Sequence, residues 1–165
     1  MSEYEYHNPG MLKECLEGLE IKPDGVYVDV TFGGGGHSKA ILNQLTTGHL
    51  IAFDQDQDAE QNAQQLAKEA GERSFTFIES NFRYLKKFLR LHGITEVDGI
   101  LADLGVSSHQ FDEPSRGFTI RAEGVLDMRM DQAAAKSARE VVNEYEEQDL
   151  IHILSAYGEV RNART

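Results

Sequence analysis

The sequence predicts an α/β fold built on a parallel, doubly wound sheet. Three observations carry that prediction. Short apolar runs recur along the first two thirds of the chain, stretches with apolar residues at helical spacing alternate with them, and four consecutive glycines stand between the first run and the helical stretch behind it. Strand alternating with helix, four times over, is the pattern of a parallel sheet with helices on its faces.

The elements follow in order. Pro9 suits the first turn of a helix, where its missing N–H costs little. Met11, Leu12, Cys15, Leu16 and Leu19 then recur at helical spacing, and Lys22-Pro23-Asp24-Gly25 is a turn. Val26 to Val30 reads as a buried strand, followed by Gly33-Gly34-Gly35-Gly36 and a helix from near His37 with Ala40, Ile41, Leu42 and Leu45 on its apolar face. Leu50 to Phe53 is a second strand, stopping at Asp54. Asp58 is expected to cap the next helix, whose apolar face is Ala59, Ala63, Leu66, Ala67 and Ala70. Phe75 to Ile78 is the third strand; Tyr84, Leu85, Phe88, Leu89 and Leu91 form a helix that ends at Gly93. Val97 to Leu104 is the fourth strand, with Asp103 at its carboxyl end. From Val106 to Arg129 no period is visible. Ser137-Ala138-Arg139-Glu140 is a capping box opening a helix, and Leu150, Ile151, Ile153, Leu154 and Tyr157 mark another that ends at Gly158.

Strand, glycine loop and helix together form a nucleotide-type pocket, because glycine lets the backbone turn tightly and lie against a ligand. A phosphate-cradling P-loop needs Lys and Ser/Thr after its last glycine, and His37 stands in the place of that Lys. The dinucleotide pattern is met only in part: Gly33 and Gly35 match, but Ser38 takes the third glycine position. Asp29, just before the loop, opposes a pyrophosphate and suits a cationic ligand such as S-adenosylmethionine. Its spacing to Gly33 and Gly35 resembles the first motif of class I methyltransferases, with Thr31 in place of the usual first glycine. The competing reading is a glycine-rich turn that binds nothing. Asp54 lies 19 residues beyond Gly35 at the end of the second strand, the place of a carboxylate that accepts from both ribose hydroxyls. Phe82, after the third strand, either stacks on an adenine or packs on the core.

At 165 residues with a net charge of −12, the chain is an awkward free-standing nucleic-acid binder. Its basic residues gather only locally, around Lys86, Lys87 and Arg90, and around Arg116, Arg121 and Arg129. No apolar run approaches the ~20 residues of a membrane span, and the acidic start Met1 to Tyr6 lacks the features of a signal peptide. Cys15, the one cysteine, is expected to be a buried inert thiol in a reducing compartment. The histidines are scattered, so no metal site is expected.

Further segments make the comparison specific: Tyr27-Val28-Asp29-Val30-Thr31-Phe32-Gly33, Asp103-Leu104-Gly105-Val106-Ser107-Ser108, Ser115-Arg116-Gly117-Phe118, Leu126-Asp127-Met128-Arg129-Met130-Asp131 and Tyr157-Gly158-Glu159. They resemble signature stretches of the bacterial ribosomal RNA small-subunit methyltransferase H family, also called MraW, and the resemblance runs over essentially the whole chain. It implies a Rossmann-like class I methyltransferase sheet, incomplete here, with an S-adenosylmethionine-binding domain at 1–106 and the start of an inserted helical, substrate-recognising domain at 107–165. It implies methylation of a cytidine on its exocyclic N4, in the decoding region of 16S rRNA, by a cytoplasmic enzyme acting on the small ribosomal subunit. By motif match, Gly33, Gly35, Gly36, His37, Asp54, Phe82, Asp103 and Gln110 would form the cofactor site. His109 stands where the family commonly has a proline before that glutamine. Without the family match, a histidine at the start of a helix would be read as a cap or packing residue.

Asp103 is the candidate catalytic group. The segment Asp103-Leu104-Gly105-Val106 keeps the acid of the DNA amino-methyltransferase motif but not its prolines and aromatic, so the acceptor stays open. Arg116, Arg121 and Arg129 are candidate RNA contacts, with a solvated or intramolecular ion-paired role as the alternative. Members of the family are longer, and this chain is expected to be about the N-terminal half of one. A parallel sheet ending on its fourth strand has a bare edge, which self-association into a homodimer would cover. Two other functional readings stand beside the methyltransferase: a cofactor-binding module without turnover, and a nicotinamide-dependent oxidoreductase.

Overall fold

The computed structural model describes residues 9–71 and 73–164; the acidic start Met1 to Tyr6 lies outside them. The chain divides after Ser107 into two compact units.

The first unit is an α/β sandwich. Its elements are α1 (Leu12–Leu19), β1 (Val26–Asp29), α2 (Gly36–Leu42), β2 (His49–Asp54), α3 (Ala59–Ala70), β3 (Ser74–Glu79), a 3-10 turn (Phe82–Tyr84), α4 (Leu85–Leu91) and β4 (Gly99–Leu101). The strands run parallel in the order β3-β2-β1-β4. The chain therefore winds outward from β1 to β3, then crosses back to lay β4 on the other side of β1.

Alternation of side chains divides the core. Tyr27, Leu50, Ala52 and Leu101 pack with Ile41, Leu42, Ala63 and Leu66, and with Cys15, Leu16 and Leu19 of α1. Val28, Ile51, Phe53 and Ile78 pack on the other face against Leu85, Phe88 and Leu89 of α4. Sheets of this kind are covered on both faces, which is why their strands read as continuous apolar runs. In register, Ile100 of β4 is the partner of Val28, yet it is half exposed, because α4 covers the neighbouring strands and not this one. Cys15 is half-buried against the first cluster.

Several expectations need correction: Pro9 precedes the helix, which starts at Leu12 after Met11, and Ala67 is exposed on α3. The fourth strand is Gly99–Leu101, shorter than the apolar run Val97 to Leu104. Upstream, the Asp98 carboxylate accepts from the Val26 N–H at 2.9 Å and the Lys22 ammonium at 2.8 Å. Downstream, the Asp103 N–H donates to Thr31 Oγ1 at 2.8 Å and not to a neighbouring strand. Asp58 does not cap α3: it has helical dihedrals and no capping bond. Asp56 does that work, accepting the Asp58 N–H on Oδ1 at 3.1 Å and the Ala59 N–H on its carbonyl at 3.0 Å.

The second unit holds α5 (Ser108–Asp112), a 3-10 turn (Pro114–Arg116), α6 (Ala138–Glu144) and α7 (Glu147–Ala156). The capping box forms at α6, with the Ser137 N–H donating to Glu140 at 2.8 Å. The aperiodic stretch before it is a loop tied by arginines. Arg116 is buried and its Nη2 donates to the Arg129 carbonyl at 3.0 Å. Arg129 grips Asp127 through Nε and Nη2, at 2.9 and 2.7 Å, and the Ala134 carbonyl through Nη1 at 2.8 Å. Among the described residues no helix is long and apolar enough to cross a membrane.

Candidate functional site

The winding reverses between β1 and β4, so these two strands flank the topological switch point. In open α/β sheets, ligands bind outside the carboxyl ends of the strands at that point. The residues there are the glycine loop after β1 and Asp103 after β4.

The glycines differ in what they are for. Gly33 and Gly35 have φ of +51° and +77°, left-handed values that favour glycine. A Cβ on Gly35 would lie 2.7 Å from Cζ of Phe32, a buried ring, and one on Gly36 would run into Pro9. Gly34 is exposed, has no such φ, and its Cβ would meet nothing within 4 Å. The fold makes no demand for glycine at that position.

Beneath the loop lies Asp29, fully buried. One carboxylate oxygen accepts the Ser38 hydroxyl at 2.7 Å and the other the Thr31 N–H at 3.0 Å. Burial raises its pKa, against the lowering effect of those two bonds. Asp29 is therefore turned into the protein and fastens the loop from below; the expected attraction for a cationic ligand does not act through an exposed carboxylate. This geometry also accounts for both departures from the glycine patterns. Thr31 bonds Asp29 through its N–H and receives the Asp103 N–H on its hydroxyl, joining the ends of β1 and β4. Ser38 supplies the hydroxyl that Asp29 needs. Sequence reasoning did not assign Thr31 and Ser38 a role, although a polar residue in each glycine position beside a buried acid was a usable signal.

Asp54 is half-buried at the end of β2 and spans two loops. Its Oδ2 accepts the Gly33 N–H at 2.7 Å, and its Oδ1 the Asp56 N–H at 2.9 Å. Burial raises its pKa, opposed by these backbone bonds. Asn62 of α3 adds a 3.2 Å bond to the Gly33 carbonyl. His37 is buried, and its Nε2 has no hydrogen-bond partner among the described residues, while Nδ1 stands 4.0 Å from the exposed Asp103 carboxylate. A buried ring nitrogen with no partner is costly unless something completes it.

Phe82 opens the 3-10 turn after β3 and is 43% exposed, so it does not close the core. The Asn81 amide donates to Gln55 at 2.6 Å, joining the loops after β2 and β3. The structure thus gathers Gly33, Gly35, Gly36, His37, Asp54 and Asp103 at the carboxyl ends of β1, β2 and β4, with Phe82 on the same edge of the sheet. Gln110 belongs to α5 of the second unit and is buried. In that unit Arg116 and Arg129 bond their own loop, and Arg121 is exposed with its guanidinium 5.6 Å from the Phe111 ring centroid.

Comparison with known proteins agrees over nearly the whole sequence. A family model described as the MraW methylase family matches residues 4–165. The chain is 58% identical over 160 residues to ribosomal RNA small subunit methyltransferase H of Cytophaga hutchinsonii, covering 97% of this chain and 52% of that protein. It is 60% identical over 160 residues to the protein of the same name from Flavobacterium johnsoniae, covering 96% and 51%. The chain spans about half the length of the curated relatives it matches. Among solved structures, TrmN from Thermus thermophilus aligns with a TM-score of 0.49 and 23% identity over 61% of this chain and 29% of that one. At that overlap the likeness adds nothing to the functional reading.

Proposed function

Because this chain belongs to the MraW methylase family, we propose that the crevice outside β1 and β4 binds S-adenosylmethionine and serves an rRNA methyltransferase of the small ribosomal subunit. The observation that carries the proposal is Gly34: it sits on an exposed loop at the switch point, and its own backbone does not require glycine. A residue without a side chain there leaves room for a ligand to lie on the loop. Membership of a methylase family sets aside the nicotinamide oxidoreductase.

The donor set fits the ligand. Asp54 would accept from the ribose hydroxyls with the lone pairs its two backbone bonds leave over. Phe82, exposed beside it on the sheet edge, would face the adenine. The unpartnered Nε2 of His37 would find its partner in the bound molecule. The segment 107–165 would recognise substrate. When bound, S-adenosylmethionine supplies a methyl group on a positively charged sulfur.

The target is the exocyclic N4 of a cytidine in the decoding region of 16S rRNA. That amino group is a poor nucleophile because its lone pair is delocalised into the ring. The protein must therefore orient the base and accept its amino hydrogens, and positioning supplies ~7–11 kcal/mol in favourable cases. Asp103 is exposed at the end of β4 and held in place through its backbone bond to Thr31. It would accept an amino hydrogen or hold the ammonium of the methionine end. A stacked target has to be flipped out or presented unpaired. Arg121 is the arginine of the three that is free to reach RNA from an exposed position. The protein acts in the cytoplasm.

Calorimetric titration with S-adenosylmethionine, with NADH as the comparison ligand, tests the site. Saturable binding of the former alone is expected; binding of NADH, or of neither by folded protein, overturns the assignment. Transfer of radiolabelled methyl to small subunits separates the enzyme from a cofactor-binding module.

A further inference from the structure

We infer that the outer face of α4 is an RNA-docking surface, separate from the cofactor crevice. Between Glu79 and Glu96 the chain has no acidic residue, although acids outnumber Lys and Arg 28 to 16 overall. Within that gap Arg83, Lys86, Lys87 and Arg90 recur at the spacing that places side chains on one side of a helix. All four are exposed, and none pairs with a carboxylate among the described residues. Tyr84 and Leu91 lie exposed on the same open face. The Arg83 guanidinium lies 5.3 Å from the centroid of the half-exposed Tyr84 ring.

Exposed helices usually interleave both signs of charge. Four adjacent cations repel one another, no carboxylate among the described residues pairs with them, and a polyanion relieves that repulsion. The opposite face of α4 is already used: Leu85, Phe88 and Leu89 pack against Val28, Phe53 and Ile78. The apolar residues on the outer side, Tyr84 and Leu91, are two beside four cations, short of the continuous apolar stripe that an interfacial helix buries, so RNA phosphates are favoured over a lipid surface. Tyr84 offers a ring on which an unpaired base can stack. The helix starts from the loop after β3, at the carboxyl edge of the sheet, so its Arg83 end is the one nearest the crevice. This surface rests on the rRNA reading for its choice of polyanion.

The test is binding of protein-free 16S rRNA by fluorescence anisotropy across a salt series, for the wild-type chain, Lys86→Ala/Lys87→Ala, and Lys13→Ala/Lys68→Ala as a variant of equal net charge altered elsewhere. The first variant is expected to lose about tenfold in affinity at about 0.1 M salt and to lower the slope of log K against log salt by about 1 to 2, one released counterion per lost phosphate contact. The second variant should track the wild type. Equal loss in both variants, no loss in either, or no RNA binding by the wild type overturns the surface. So does binding to vesicles of equal parts phosphatidylcholine and phosphatidylglycerol in preference to RNA. Calorimetry with S-adenosylmethionine on the same samples reports the crevice independently: a lost RNA response with cofactor binding intact in Lys86→Ala/Lys87→Ala places the effect on α4, and absent cofactor binding with an α4-dependent RNA response would sink the crevice alone.

Discussion

Replacing Gly35 by alanine should destabilise the protein, and replacing Gly34 should not. Gly35 has φ of +77°, where an added Cβ costs about 1–2 kcal/mol through its clash with the backbone. The same Cβ would sit 2.7 Å from Phe32 Cζ and 3.1 Å from Cε2. Phe32 is 3% exposed, and its ring centroid is 5.2 Å from that of Phe77 and 6.1 Å from that of Phe75. With nowhere for that ring to retreat, overpacking adds about 1–3 kcal/mol. The total for Gly35→Ala is about 2–5 kcal/mol, and at roughly 2–4 °C per kcal/mol for a chain of this size the melting temperature should fall by about 4–20 °C. Gly34→Ala places its methyl in open space and should leave stability within about 0.5 kcal/mol. It should nevertheless weaken S-adenosylmethionine by about tenfold or more, since the methyl occupies the surface on which the ligand lies. Differential scanning calorimetry and cofactor titration measure both quantities on the same samples. A Gly35→Ala protein that melts with the wild type would refute the strain argument; a Gly34→Ala protein of full affinity would refute the placement of the ligand on the loop.

Three further outcomes are expected. Asp54→Ala should weaken cofactor binding by roughly 1–3 kcal/mol by leaving ribose hydroxyls unpaired, and it should also lower the melting temperature, because the Gly33 and Asp56 N–H groups lose their acceptor; unchanged affinity in a folded variant rejects the ribose role. Burial holds the Asp29 pKa above its ordinary value, so the folded state binds that proton more tightly than the unfolded state. The stability it contributes is full below the unfolded pKa of about 3.9 and is lost as pH rises through the raised folded value. Urea midpoints of wild type and Asp29→Asn should therefore diverge with rising pH, and a constant difference between them rejects the linkage. Ser38→Ala should leave one oxygen of that buried carboxylate without its hydroxyl donor and cost about 1–3 kcal/mol, read from urea unfolding; a cost near zero means that another donor takes its place.

What the sequence determined by itself was the layout. Apolar runs and helical spacing are local properties, and a parallel sheet with helices on both faces is the arrangement that buries them, so β1, β2, β3 and their helices lie where the pattern puts them. The capping box at Ser137 and the end of α4 at Gly93 were equally local. The tertiary structure decided what depends on distant partners. The length of β4 is set by Thr31, 72 residues before Asp103, and by Asp98 reaching back to Val26 and Lys22. Asp29 looked like a ligand-facing acid because its spacing to the glycines was visible; the direction of its carboxylate was set by where Ser38 and Thr31 came to rest once α2 had packed on the sheet. The same holds for the loop. In the sequence Gly33, Gly34, Gly35 and Gly36 are four equivalent letters; Phe32 packed between Phe75 and Phe77, and Pro9 folded across α2, make two of them obligatory for the protein and leave Gly34 open to a ligand.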